Sequence, residues 1–343
     1  MACWEAVISG VGDSVYAMKS DRTAAALIGD AIVEALADAG LEAAEVDGLI
    51  CQGGLDYDMI GFNFGLETRY SMQTWSHGRL TGPTILTAAA VVAAGLARHV
   101  LCVHGRSGVR QFGGKPSMEA SREGGGAHGE VPFYGLTAPA NAAAFSWQKY
   151  ADMYSADLDA LRHVVVTQRR NSTLNSNAVL RDQPLTDDDY LAERMIIEPL
   201  RRADFALPND GAVAIIVSAD SSPGALPILG GQGLACGRSE AVFARPGMGL
   251  AYQDDPVGSW MGPEQEIYRN AGVSAVDIDV VGIYDSCNPV RPGAAPPGHR
   301  RPPESRCVAA GAPAVPHTGR RHRTPHALPT GTARTPAAAQ AGR

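Results

Sequence analysis

The sequence predicts an α/β protein in which helices pack on a mixed sheet, and two features support this. Strand-like and helix-like segments alternate from the start, with a β run at Glu5–Gly10, a helix at Thr23–Ala39 and a strand at Val46–Cys51. A run at Pro83–Ala94 has no polar face, which is typical of a helix in a protein core. These 12 residues are too few for a membrane span, which needs roughly 20.

The helix at Thr23–Ala39 is predicted from its spacing and its two ends. Asp21 is expected to cap its start, and Gly40 is expected to end it. Its apolar residues recur at helical spacing, so the helix should cover a sheet with one face. These residues are Leu27, Ile28, Ala31, Ile32, Ala35 and Leu36.

The stretch Tyr70–Gly105 predicts a strand, a turn, a central helix and a second strand. The first strand is Tyr70–Thr74, and the turn contains Ser76, His77 and Gly78. Gly95 is expected to close the helix, and Arg98–Val103 reads as a buried strand. We expect the helix to lie between two sheets.

A glycine-rich segment at 107–135 opens an excursion that extends to about residue 200. Two helices are predicted inside it, at Ala140–Tyr154 and Asp157–Arg170. Thr186 with Asp189 reads as a capping box. A buried strand at Ala212–Ser218 then completes an N-terminal half that we place at 1–222.

The second half is predicted to start near Pro223 and to stop early, at residue 288. A helix is expected at Pro263–Asn270, because proline stands at its first position. Ser274 is expected to cap a short turn at 275–278. The strand predicted at Asp279–Tyr284 would deliver Tyr284, Asp285 and Cys287 to its end.

Composition narrows the classes of function. The chain has 343 residues, 45% hydrophobic, and a formal charge of −7, so neither nucleic acid nor an anionic membrane is an attractive partner. The six cysteines are scattered without a C-x-x-C pair or a signal peptide, which favours a reducing, cytoplasmic location. Small-molecule chemistry is therefore expected, with no metal site.

Three segments together resemble the thiolase superfamily, and most of all its sterol carrier protein X and lipid-transfer branch. They are AAGLARHVLCVHG, the stretch with LT-x-x-D-Y and a DGA strand, and AGVSAVDIDVVGIYDSC. The resemblance covers about residues 3–288 and implies a layered αβαβα fold with mixed sheets. The nucleophilic cysteine of the superfamily should fall at Gly78 or Arg79, and no cysteine stands there.

The resemblance also implies which residues form the catalytic and substrate-binding site. Tyr284 stands where the superfamily carries an Asn or His that lines the catalytic pocket, so Tyr284 and His77 are the expected catalytic residues. A Tyr phenol can act as the base or as the acid. To act as a base near neutral pH it needs its pKa lowered from about 10 by neighbouring donors or positive charge, which Arg79 or His77 would supply. Substrate-binding residues are expected at Trp75, Ser76, Gly78, Arg79 and Asp285.

Three functions stay open from the sequence. The first is a CoA-thioester aldolase that cleaves a bulky, steroid-like β-hydroxyacyl-CoA, a reaction that needs no covalent nucleophile. The second is a thiolase-type acyltransferase, and the third is a non-catalytic acyl-CoA-binding or scaffold subunit. The resemblance implies a homodimer with a small OB-fold partner that binds acyl-CoA. It implies no cofactor other than the CoA of the substrate.

The last 55 residues, 289–343, differ from the rest of the chain. They contain 11 Pro, 9 Arg and 1 Glu, with no Ile, Met, Phe, Tyr or Trp, and cannot build a core. We interpret them as a translation in a shifted reading frame that begins near Asn288, because a GC-rich gene read out of frame yields mainly Arg, Pro, Ala and Gly. The segment is expected to be irregular.

Overall fold

The computed structural model describes residues 5–74, 80–108, 140–220, 223–232, 267–280 and 282. The strands are β1 (Val7–Asp13), β2 (Gly48–Gln52), β3 (Tyr70–Thr74), β4 (His99–Arg106), β5 (Met195–Ile197), β6 (Leu200–Arg201), β7 (Gly211–Ser218) and β8 (Leu226–Pro227). The helices are α1 (Ala24–Ala39), α2 (Tyr57–Phe64), α3 (Thr81–Ala93), α4 (Ala140–Tyr154), α5 (Leu161–Ser172) and α6 (Asp187–Ala192). The predicted alternation of strands and helices is confirmed.

Six of these strands form one mixed sheet in the order β3-β2-β4-β7-β1-β8. Strands β3, β2 and β4 run parallel, and β7 is antiparallel to both β4 and β1. The parallel strands therefore end at a common edge of the sheet, called the carboxyl edge below. The antiparallel β7 is buried along nearly its whole length, as the sequence predicted for Ala212–Ser218.

Helix α1 covers one face of the sheet. Its buried face consists of Leu27, Ile28, Ala31, Ile32 and Ala35, all of which belong to the predicted set. Thr23, not Asp21, caps the helix, because the Thr23 side chain accepts a hydrogen bond from the Ala26 amide. Gly40 ends it in the left-handed region at φ 68°, as predicted.

Helix α3 packs on the opposite face through small residues, namely Thr84, Ala88, Ala89, Val91 and Val92. The alanines and valines among them share a hydrophobic cluster with Ile50, Val100, Cys102, Ile215 and Val217 of the sheet. One side of the predicted sandwich is therefore present. A second sheet over α3 is not found in the part of the chain that the structure describes.

The excursion forms a smaller core of its own. Trp147 of α4, Leu161 and Val165 of α5, and Tyr190 of α6 pack together. The predicted capping box is confirmed, since Thr186 and Asp189 exchange hydrogen bonds at the start of α6. Below it, the buried Tyr190 hydroxyl donates to the Asp204 carboxylate at 3.0 Å.

The second half is described only at residues 223–232, 267–280 and 282. Residues 267–271 are helical, in line with the predicted helix, and Ser274 with Asp277 holds a turn at Ala275–Asp277. Positions 279, 280 and 282 are not in a strand, unlike the prediction for Asp279–Tyr284. A strand needs a hydrogen-bonded neighbour, and none is described beside it. The domain limits at 222 and 288 stay predictions, and 289–343 lie outside the described residues.

Candidate functional site at the carboxyl edge

The carboxyl edge brings together the strand ends that flank the predicted site. Strand β3 ends at Thr74 and helix α3 begins at Thr81, so residues 75–79 join the carboxyl end of a strand to the start of the central helix. In parallel sheets with helical crossovers, ligands bind outside the carboxyl ends of the strands. The order of the elements along the chain therefore favours the carboxyl edge as the place where a ligand binds.

Four polar side chains gather there, and we call Gln52, Thr74, Thr84 and His104 the strand-end cluster. The buried Gln52 amide donates from Nε2 to Thr84 Oγ1 at 3.3 Å, which ties β2 to the first turns of α3. Thr74 Oγ1 contacts the Cys51 carbonyl oxygen at 3.5 Å. His104 Nδ1 bonds the Gln52 carbonyl oxygen. Each side chain of the cluster has a partner, as buried polar groups require.

The contact at Gln52 fixes the tautomer of His104. A carbonyl oxygen can only accept a hydrogen bond, so Nδ1 carries the proton and Nε2 of the neutral ring keeps its lone pair. Burial lowers the pKa of His104 from its usual value near 6.5, and the positive charge of Arg106 lowers it further, against the opposing effect of the Gln52 bond. The ring is therefore neutral near pH 7.

Glycines allow the strand ends to approach each other closely. Gly54 follows β2 at φ 87°, and a Cβ there would lie 2.2 Å from the Gly105 carbonyl oxygen of β4. A side chain at this position would push the ends of β2 and β4 apart. The geometry of the strand-end cluster depends on this approach.

The buried tyrosines Tyr16 and Tyr190 do not supply a base. Burial and the nearby carboxylates of Asp13 and Glu34 raise the pKa of Tyr16, and burial with Asp204 raises that of Tyr190. Both phenols stay protonated near neutral pH. Tyr190 instead joins Asp204 and Arg201, which also binds Asp159 at 2.9 Å, in a network that holds the excursion together.

All seven predicted site residues lie outside the described residues, so their placement stays a prediction. They are Trp75, Ser76, His77, Gly78, Arg79, Tyr284 and Asp285. The structure adds His104 and Gln52, which sequence reasoning did not select. The available signal was a polar residue, His104, at the carboxyl end of an otherwise apolar strand. It lies two residues after Cys102 and therefore on the same face of the sheet, toward α3.

Neither a cluster of metal-binding side chains nor a membrane-spanning helix occurs in the described ranges. Residues 5–74, 80–108, 140–220, 223–232, 267–280 and 282 hold no group of three or more His, Cys, Asp or Glu side chains arranged to bind a metal. No helix in those ranges has the length and apolar character needed to cross a membrane.

The chain is similar in sequence to two enzymes, one named as an aldolase and the other as a CoA lyase. No protein-family model matches the chain. A steroid side-chain-cleaving aldolase of Thermomonospora curvata is 29% identical over 307 residues, which is 83% of this chain and 75% of that protein. A 17-hydroxy-3-oxo-4-pregnene-20-carboxyl-CoA lyase of Mycobacterium tuberculosis is 27% identical over 304 residues, or 84% of this chain and 77% of that protein.

Solved structures agree with these relatives. The Ltp2-ChsH2(DUF35) aldolase matches with a TM-score of 0.70 and 26% identity, covering 84% of this chain and 75% of that one. A monomeric SCP2-thiolase-like protein type 1 of Mycobacterium smegmatis matches with a TM-score of 0.62 and covers 84% of this chain and 62% of that one. At 15% identity, the second match speaks for the fold alone.

The mixed sheet with helices on both faces and the strand ends at one edge define a thiolase-like α/β protein. Within that class, the chain is similar to two lyases and to the matched aldolase, which supports the lipid-transfer, SCP2-thiolase-like branch. The resemblance inferred from the sequence motifs is confirmed.

Proposed function

We propose that this chain is a carbon–carbon lyase that cleaves a β-hydroxyacyl-CoA by a retro-aldol reaction. The observation that carries the proposal is its similarity, over more than four fifths of its length, to two enzymes named as a side-chain-cleaving aldolase and a CoA lyase. The absence of cysteine at Gly78 and Arg79 supports the same reaction, since a retro-aldol step needs no covalent nucleophile.

The reaction has two physical requirements. A base must take the proton of the β-hydroxyl group, and hydrogen-bond donors must stabilise the thioester enolate left when the Cα–Cβ bond breaks. Leu80, the N-cap residue of helix α3, has an apolar side chain and makes no side-chain cap hydrogen bond, so it does not satisfy the first backbone N–H groups of the helix. Such donors at the carboxyl edge suit an enolate oxygen.

Tyr284 and His77 are the proposed catalytic residues, with substrate contacts from Trp75, Ser76, Gly78, Arg79 and Asp285. A phenol near its ordinary pKa of about 10 is protonated at neutral pH, which suits it to return a proton to the enolate carbon. The names of the relatives favour a bulky steroid-like acyl group as the substrate.

We also propose a homodimer and a partner protein. Strand β3 lies at the edge of the described sheet, and α2 beside it exposes large apolar side chains, with Phe62 86% exposed. An open strand edge with an apolar border suits pairing with a second copy. The name of the matched aldolase couples Ltp2 with ChsH2(DUF35), which supports a partner protein for this chain. That the partner is a small OB-fold protein that binds acyl-CoA is what the sequence resemblance implies.

The test is turnover of a panel of β-hydroxyacyl-CoAs, with and without a candidate partner, followed by mass spectrometry of the ketone and acyl-CoA products. Tyr284→Phe should lower kcat by roughly 10²- to 10⁴-fold with little change in KM. The matched control is Tyr70→Phe, which removes a hydroxyl that contacts Met72 at the edge strand β3. Acyl transfer without cleavage, or normal turnover by Tyr284→Phe, would contradict the proposal.

A further inference from the structure

The imidazole of His104 is a chemically competent group that the mechanism above leaves unused. It lies at the carboxyl end of β4, partly buried, on the face of the sheet that α3 covers. Resting on the proposed lyase function, we propose that His104 Nε2 is the general base that accepts the β-hydroxyl proton of the substrate.

Position is the first support. His104 stands at the carboxyl edge beside Gln52, and Gln52 in turn is tied to Thr84 in the first turns of α3. The chain that carries the predicted substrate-binding residues 75–79 leaves β3 at the same edge and enters α3 there. A base at this point is close to the start of the helix whose N–H groups suit the enolate oxygen.

Orientation is the second support. The Gln52 carbonyl holds the Nδ1 proton, so the ring cannot rotate freely and its acceptor is Nε2. Within the described residues Nε2 has no hydrogen-bond partner. By contrast, His99, at the amino end of the same strand, bonds the Ser218 hydroxyl at 2.9 Å and lies away from the carboxyl edge.

The step balances without any added reactant. Nε2 takes the hydroxyl proton and becomes imidazolium, the C–O bond becomes C=O, and the Cα–Cβ electron pair moves into the thioester enolate. An acid, the role proposed above for Tyr284, then protonates the α-carbon, and proton exchange with water returns the acid and the imidazolium to their starting forms. A neutral imidazole as base and a protonated phenol as acid are the forms each group holds near pH 7.

The charges around His104 keep it in the basic form. Arg106, two residues along β4, opposes imidazolium formation, and burial acts in the same direction. Helix α3 and strand β7 carry no charged side chain, and Cys51 of β2 faces the opposite side of the sheet. Because the pKa of His104 lies below 6.5, the base should be active at neutral pH and lost as the pH falls through that lower pKa.

The experiment compares wild-type chain with His104→Asn, His104→Ala and the control His99→Gln, in kcat and KM across pH 5–9 on a cleaved β-hydroxyacyl-CoA. We expect both His104 variants to lose roughly 10²- to 10⁴-fold in kcat with a small change in KM and to lose the acid limb of the profile. Added imidazole should partly restore His104→Ala. His99→Gln should keep the wild-type profile.

Each outcome separates this inference from the proposed function. If the wild-type chain cleaves the substrate and a folded His104→Asn keeps its kcat and acid limb, His104 is not the base, while the lyase function stands. If His104→Asn loses activity but keeps the acid limb and His104→Ala is not rescued by imidazole, His104 has only a structural role and the proposal is wrong. If the wild-type chain transfers acyl groups and cleaves nothing, the proposed function fails and the role of His104 fails with it.

Discussion

The two faces of the six-stranded sheet differ most at its carboxyl edge, one residue apart along the same strands. Toward α1, Cys51 and Val103 are buried in an apolar cluster. Toward α3, the next residues are Gln52 and His104, whose polar groups are tied to each other and to Thr84. Burying polar groups is unfavourable unless every one is paired, so a face built for stability alone would continue the apolar pattern.

The comparison assigns different tasks to the two faces. The α1 face supplies large aliphatic side chains such as Leu27, Ile28 and Ile32, which remove the most apolar area from water. The α3 face uses alanine and valine and carries polar groups at the edge where the chain enters the proposed site. Substitutions on the first face should therefore change stability, and those on the second should change catalysis.

The largest effect on stability is expected for Ile28→Ala on α1. Ile28 is 0% exposed and lies against Gly105, so its truncation removes buried area and leaves a cavity. We expect the free energy of unfolding to fall by about 2–5 kcal/mol. Chemical denaturation measures the loss. Val33→Ala on the same helix, where Val33 is 65% exposed, is the control and should stay within about 0.5 kcal/mol of wild type.

A smaller loss is expected for Gly12→Ala, which tests how closely α1 approaches β1. A Cβ at Gly12 would lie 2.3 Å from the Ala31 carbonyl oxygen and 2.4 Å from the Ala35 amide nitrogen, and backbone atoms cannot easily move aside. We expect about 1–3 kcal/mol of destabilisation. Gly82→Ala should not lower the melting temperature, because the new Cβ meets no atom of the described residues within 4 Å beyond its chain neighbours and its own helix backbone. Equal stability of Gly12→Ala and wild type would refute the close contact.

Thr84→Val, on the α3 face, should lower both the stability of the protein and its kcat. Valine keeps the shape but removes the hydroxyl that accepts from the buried Gln52 amide, which weakens the link between β2 and α3. We expect a loss of about 1 kcal/mol in the free energy of unfolding, together with a lower kcat, because the Gln52 carbonyl orients His104. Thr84→Ser retains the hydroxyl and serves as the control. A lower stability with an unchanged kcat would separate the strand-end cluster from the reaction.

Sequence reasoning was most successful where a local rule decides the structure. The bounds of α4, the Gly40 stop of α1 and the Thr186–Asp189 capping box follow from periodicity, glycine and short-range hydrogen bonds. Sequence reasoning predicted Asp21 as the cap and Thr23 as part of the helix, whereas Thr23 is the cap, because Asp and Thr both cap helices and only the backbone path distinguishes them. Nor could it find the pairing of His104 with Gln52, which are 52 positions apart and meet only once β2 and β4 lie side by side.

The smallest effect on activity is expected for cysteine alkylation. Each face of the described sheet has one buried thiol, so the reaction compares the reactivity of the two. Cys51 lies in the α1 cluster and Cys102 in the α3 cluster, and burial raises the pKa of each thiol to about 12. Because the thiolate is the reactive form, both thiols are almost fully protonated and unreactive at pH 7–8. A lyase without a covalent cysteine should therefore keep its activity after iodoacetamide treatment and form no acyl-enzyme with acetyl-CoA, as intact-protein mass spectrometry can show. A stable acetyl adduct on a cysteine, lost together with activity on alkylation, would instead establish a nucleophile and favour acyl transfer over retro-aldol cleavage.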